Sequence, residues 1–138
     1  MTVQPYLYFN GRAEEAFKFY AEAIGATVTC AMRFKEAPGS ESSQQMPPGM
    51  EDKIMHANLQ IGDSQIMVSD GNSPAPANFD GFSLTLNAAD KDEAARTFAA
   101  LSTGGQVIMP LGETFFSPAF GMIADPFGVK WIIIVATM

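Results

Sequence analysis

One order of elements is written twice along this chain: strand, helix, strand, strand, strand. That repetition constrains the fold more than any other feature of the sequence. The first helix is marked by Ala13, Ala16, Phe17, Tyr20, Ala23 and Ile24, the spacing of a helix with one buried face. Asn10 or Gly11 is placed to cap its start and Gly25 to end it. The second helix begins at Asp90 with Glu93 three residues on, a capping-box pattern. Ala94, Ala95, Phe98 and Leu101 form its stripe, and Gly104-Gly105 stops it. Strands are expected at residues 6–10, 27–34, 53–61 and 65–69 around the first helix. Around the second they are expected at 82–87, 106–110, 120–125 and 130–135. Gly62-Asp63-Ser64 reads as a hairpin turn and Pro126-Phe127-Gly128-Val129 as another, with Gly128 supplying a positive φ. Residues 15–20 align with residues 93–98, and an Asn (Asn10, Asn87) ends the strand before each helix.

Two such modules, residues 1–70 and 82–138, make one domain of ordinary size in 138 residues, joined by a Pro-, Asn- and Gly-rich linker at 70–81. With 47% hydrophobic and 17% charged residues the chain can bury a core and is too apolar to be disordered. A net charge of −7 repels phosphate backbones and argues against nucleic acid as a partner. One cysteine leaves no intramolecular disulfide, the usage of a reduced, cytoplasmic protein. The longest apolar stretch, 131–136, is far short of a membrane span, and residues 1–5 carry no secretory signal pattern. A single histidine rules out any site that needs two from one chain. The second long loop, 35–52, carries Pro, Gly, Ser and charge, with Met46 and Met50 as its few apolar anchors; mobility or closure over a binding site is expected of it.

Alternation assigns each strand a dry face and a mixed face. Met55, Ala57, Leu59 and Ile61 oppose His56, Asn58 and Gln60; Leu7 and Phe9 oppose Tyr6, Tyr8 and Asn10. Phe82, Leu84 and Leu86 oppose Ser83, Thr85 and Asn87. In the second strand Val28, Cys30, Met32 and Phe34 fall together, which makes Cys30 a buried structural thiol. Tyr6, Tyr8, His56, Asn58, Ser69, Thr85 and Trp131 gather apolar and polar groups in the proportion of a ligand pocket.

These segments resemble a known family. Pro5-Tyr6-Leu7-Tyr8-Phe9-Asn10-Gly11, Met55-His56-Ala57-Asn58-Leu59-Gln60-Ile61-Gly62-Asp63 and Asp125-Pro126-Phe127-Gly128-Val129-Lys130-Trp131 are similar to the PhnB-like branch of the vicinal oxygen chelate superfamily. That superfamily holds glyoxalases, extradiol dioxygenases and bleomycin-resistance proteins, and the branch is often labelled demethylubiquinone methyltransferase-like. The resemblance implies an α+β fold of two βαβββ modules whose curved mixed sheets form a concave cleft. It also implies metal ligands on the first and fourth strands of each module. Here those strands offer Tyr6 or Tyr8, Met67 or Ser69, Ser83 or Thr85, and Trp131 or Ile133, none a strong divalent-metal ligand. No metal or other cofactor is therefore expected at the standard positions.

The functional expectation is a small-molecule-binding homodimer in which His56 and Glu113 are the candidate catalytic residues. Tyr6, Tyr8, Asn58, Ser69, Thr85 and Trp131 are the candidate ligand contacts. His56 is either a base or polar anchor, or an imidazole packed in a sheet; Glu113 is either a cleft acid or a solvated loop carboxylate. A metal-dependent lyase or dioxygenase using His56 and Glu113 is one alternative. A non-catalytic sequestering protein of the antibiotic-resistance type, suited by the −7 charge, is the other. A phosphate loop, a dinucleotide-binding Gly-x-Gly-x-x-Gly and a nucleophile elbow are all missing from the sequence. Edge strands left by half-closed sheets favour a two-fold dimer, with modules pairing within or across chains.

Overall fold

The computed structural model describes residues 1–36, 49–71 and 76–136. The chain divides into two compact units, Met1–Ala77 and Asn78–Met138. The first runs β1 (Tyr6–Tyr8), α1 (Ala13–Ile24), β2 (Thr27–Arg33), β3 (Ile54–Ile61) and β4 (Ser64–Ser69). The second runs β5 (Leu84–Ala88), α2 (Lys91–Ser102), β6 (Gln106–Gly112), β7 (Phe120–Ala124) and β8 (Lys130–Val135). Each unit holds one open four-stranded mixed sheet, ordered β1-β4-β3-β2 and β5-β8-β7-β6. In each the first strand runs parallel to the fourth and the other pairs are antiparallel. The α+β architecture of two βαβββ modules is the one expected. Most of the loop at 35–52, and part of the linker at 70–81, lie outside the described residues. No helix among the described residues is long and apolar enough to cross a membrane.

In the first unit α1 lays Ala13, Ala16, Phe17 and Tyr20 onto the sheet face that carries Leu7, Ala57, Leu59, Ile66 and Val68, all buried. Gly25 closes the helix at φ +70°, a conformation costly for other residues, and its N–H reaches the Ala21 carbonyl at 3.2 Å. The start of α1 differs from expectation. Neither Asn10 nor Gly11 caps it with a side chain; Arg12 is the cap residue and makes no capping bond. The donors go instead to Asp70, at the end of β4. Its Oδ1 accepts from Gly11 N–H at 2.7 Å and Ala13 N–H at 2.8 Å, and its Oδ2 from Ile54 N–H at 2.8 Å. The carboxylate is 2% exposed, so one side chain pins the helix to two strands from inside the core.

The second unit repeats this plan with different fastenings. Asp90 accepts from Glu93 N–H at 2.8 Å, and Glu93 reaches back to Ala89 N–H at 2.6 Å, one residue beyond the usual partner of a capping box. Asp125 holds the β7–β8 turn: its Oδ1 takes Phe127 N–H at 2.9 Å and Val129 N–H at 3.1 Å. Helix α2 approaches β7 at Gly121, where a Cβ would lie 2.6 Å from the Phe98 ring and 3.0 Å from the Leu111 backbone. Only a residue without a side chain lets helix and strand meet there.

Facing expectations in the β2–β3 pair are overturned: a register shift at Met32/Arg33 buries Ile54 rather than Met55, and a second changes the parity of β2. A register shift between Val28 and Cys30 inserts Thr29 as an extra residue in β2. Val28 pairs with Leu59 on the helix face, but Cys30 pairs with Asn58 and Met32 with His56 on the other face. Cys30 is exposed rather than a buried core thiol. A bulge changes the parity of every later residue in its strand.

Candidate functional site

The face of the first sheet turned away from α1 carries most of the candidate residues. Across it run Thr27, Gln60 and Gln65, then Cys30, Asn58, Met67 and Tyr6, with Met32 beside His56 and Ser69 beside Tyr8. His56 sits at the centre. Its Nδ1 lies 2.9 Å from the Tyr6 hydroxyl and its Nε2 lies 2.8 Å from Asn58 Oδ1. For a neutral imidazole this fixes the tautomer: Nε2–H donates to Asn58, and Nδ1 accepts from the Tyr6 O–H. The Tyr6 and Tyr8 rings stack with centroids 5.0 Å apart at 20°, and Tyr6 leans to within 5.5 Å of the imidazole. Burial pushes the Tyr6 phenol above its ordinary pKa, Tyr8 adds to the rise, and the Ser69 hydroxyl offsets part of it. The phenol thus keeps its proton, and with it the bond to His56, throughout the neutral range. Tyr8 remains 55% exposed and presents a ring face to solvent.

Ser69 belongs to this face by position but is 3% exposed, and its hydroxyl already accepts from Gly71 N–H at 2.9 Å. It braces Tyr6 and the strand end rather than standing open to a ligand. Met67, Met32 and Cys30 were not among the expected contacts, yet they supply the apolar part of the surface. Met67 was legible from alternation in β4. Cys30 needed knowledge of the bulge.

In the second unit Thr85 and Asn87 are exposed on the face of β5 away from α2, beside Ile132 and Ile134 of β8. Trp131, expected with them, lies on the opposite face. It pairs with Ile123, is 3% exposed, and donates its indole N–H to Asp125 Oδ2 at 3.0 Å. The reason is the alternation of β8, which places Trp131 with Ile133 and Val135 on the helix side. Its indole is committed to the core. Glu113 stands exposed just past β6, ahead of a turn in which Thr114 Oγ1 accepts from Ser117 N–H at 3.1 Å. His56 and Glu113 therefore belong to different units.

Known proteins share this fold. A family model described as 3-demethylubiquinone-9 3-methyltransferase matches residues 1–134. The chain belongs to this PhnB-like family. Protein YjdN of Escherichia coli is 36% identical, covering 96% of this chain and 94% of its own length. The crystal structure of protein PA1353 from Pseudomonas aeruginosa superposes with a TM-score of 0.86 at 40% identity, over 99% of this chain and 98% of that one. A PhnB protein from Bacillus cereus, described as a putative 3-demethylubiquinone-9 3-methyltransferase, gives 0.78 at 27% identity over 99% and 100%.

The superfamily resemblance implied metal ligands on the first and fourth strands of each unit, and the residues there do not fit a metal. The open face of β1 and β4 offers two phenols, a thioether, the buried Ser69 hydroxyl and the Gln65 amide, whose oxygen already accepts from Gln4, and that of β5 offers only the Thr85 hydroxyl and the Asn87 amide. On β8 Trp131 and Ile133 face the helix, so the open positions are Ile132 and Ile134, which carry no donor. Among the described residues no group of three or more His, Cys, Asp or Glu side chains is close enough to hold a metal ion.

Proposed function

We propose that this PhnB-like chain binds a small organic molecule on the open face of its first sheet, with Tyr6, Tyr8, His56 and Asn58 as the contact residues. The observation that carries the reading is His56, which is held at both ring nitrogens, at 2.9 Å by Tyr6 and 2.8 Å by Asn58. A positioned imidazole between a stacked tyrosine pair and an amide is a recognition surface. A general base would need a nitrogen lone pair free to take a proton, and here the Nδ1 lone pair is engaged by a phenol. Binding is therefore favoured over proton transfer. A lyase or dioxygenase built on His56 and Glu113 is the weaker reading, because the imidazole is committed at both nitrogens. Methyl transfer, named in the family description, is not part of the proposal. The two mixed sheets have neither the doubly wound parallel strands nor the Gly-rich turn that hold a nucleotide-like donor. We expect the protein to act as a cytoplasmic homodimer.

The test is a titration of the aromatic side-chain NMR signals with a set of flat fragments and, separately, with bleomycin. Shifts at Tyr6, Tyr8 and His56 that disappear in His56→Ala support the reading. Shifts confined to other residues overturn it. Tight bleomycin binding would favour the sequestering alternative, and a stoichiometric divalent metal in the purified protein would favour the metal-dependent one.

A further inference from the structure

The open face of the first sheet has a charge property that its chain does not share. The sequence carries 8 basic and 15 acidic residues, yet no Asp, Glu, Lys or Arg stands among Thr27, Cys30, Met32, His56, Asn58, Gln60, Gln65, Met67, Tyr6 and Tyr8. The nearest cation along β2, Arg33, is turned to Glu14 of α1 by a bidentate pair at 3.1 and 2.9 Å. An ion that left water for this face would find no counter-charge among the residues of the sheet face itself, and desolvating an unpaired ion is costly. Around His56 most of the hydrogen-bonding capacity is already spent. His56 spends both nitrogens and Tyr6 spends its O–H within the network. Asn58 spends Oδ1, and no described hydrogen bond takes its Nδ2 donors.

We infer that this face selects uncharged, flat ring molecules bearing a carbonyl oxygen, the oxygen accepting from Asn58 Nδ2 while the ring lies against Tyr6 and Tyr8. The inference rests on the binding role proposed above and names its ligand class. It runs against two simpler expectations. The net charge of −7 and the exposed tyrosine faces would each draw a cation. The long-range field is screened beyond about 8 Å at physiological salt, however, and a lone tyrosine face does not replace the hydration of a cation without an anion close by.

Four probes of nearly equal size separate the possibilities on the intact protein: coumarin, neutral with a carbonyl; 2H-chromene, neutral without one; N-methylquinolinium, a cation; and 2-naphthoate, an anion. Binding is read from the His56 imidazole and Asn58 side-chain amide resonances. Coumarin should bind about tenfold more tightly than either ion and about fivefold more tightly than chromene, the worth of one neutral hydrogen bond. Asn58→Leu should erase the difference between coumarin and chromene, with an unchanged backbone amide spectrum as the control for folding. If either ion binds as well as coumarin, the neutral class is wrong while the binding face stands. Equal binding of coumarin and chromene to the unaltered protein overturns the carbonyl contact. If none of the four moves these resonances, the binding face itself falls and the inference with it.

Discussion

His56 and Asp70 show how differently two polar side chains are used within one sheet. His56 stands on the open face, bonded to two other side chains, and supports no backbone. His56→Ala should therefore cost no more than about 1–2 kcal/mol in a urea melt while weakening ligand binding. If the change instead lowers stability and leaves ligand shifts unchanged, the residue is structural. Asp70 is the opposite case. Its carboxylate serves three backbone N–H groups at 2.7–2.8 Å in the core, and Asp70→Ala strands them all. The expected loss is on the order of 3–5 kcal/mol, read from the urea midpoint at constant m-value. Tyr6 gives a pH prediction of its own. Burial raises its pKa, so the stability it confers is complete below the usual tyrosine pKa and is lost as pH rises through the higher folded value. In UV difference titration, Tyr6→Phe should remove a component that ionises above the ordinary value of about 10.

At the scale of elements, packing depends on where a side chain is missing or a strand is irregular. Gly121 is required by the approach of α2 to β7, where an added Cβ would strike the Phe98 ring and crowd the Leu111 backbone. Gly121→Val should destabilise by about 1–3 kcal/mol, with the second unit losing hydrogen-exchange protection first. The pair Arg33–Glu14 ties β2 to α1 on the surface. Arg33 holds the Glu14 carboxyl below its ordinary pKa, with smaller help from Lys18. The stability this gives is present above the usual glutamate pKa and disappears as pH falls through the lower folded value. Glu14→Gln should flatten the acid limb of the stability curve and change little at neutral pH.

At the scale of the molecule, each open sheet leaves two edge strands, β1 and β2 in one and β5 and β6 in the other. Strand β6 is the more demanding edge. Val107, Ile108 and Met109 are 47%, 47% and 45% exposed, an apolar run of the kind natural proteins usually cover. A homodimer is the expected state by light scattering at micromolar concentration. Ile108→Lys should shift it towards monomer if β6 contributes to the interface, and a monomeric native protein would contradict the expectation outright.

Local chemistry carried much of this in the sequence. The helix stripes, the Gly25 terminus, the Asp90 cap, the hairpin and the positive φ of Gly128 (+92°) depend on residues a few positions apart, and so did the facing of Tyr6, Tyr8, His56 and Asn58 by alternation. The doubled order of strand, helix and three strands was legible from the same periodicities, and the resemblance supplied the way each module's strands pair. Tertiary structure alone decided what rests on distant partners. The cap of α1 comes from Asp70, 57 residues away from Ala13, and nothing local to either residue announces the pairing. The bulge at Thr29 turned Cys30 to the open face because register depends on the partner strand as well as on alternation. Trp131 looked like a pocket aromatic. The alternation of β8 sets it with Ile133 and Val135 on the helix side, and only the fold shows the Asp125 carboxylate that satisfies its buried N–H.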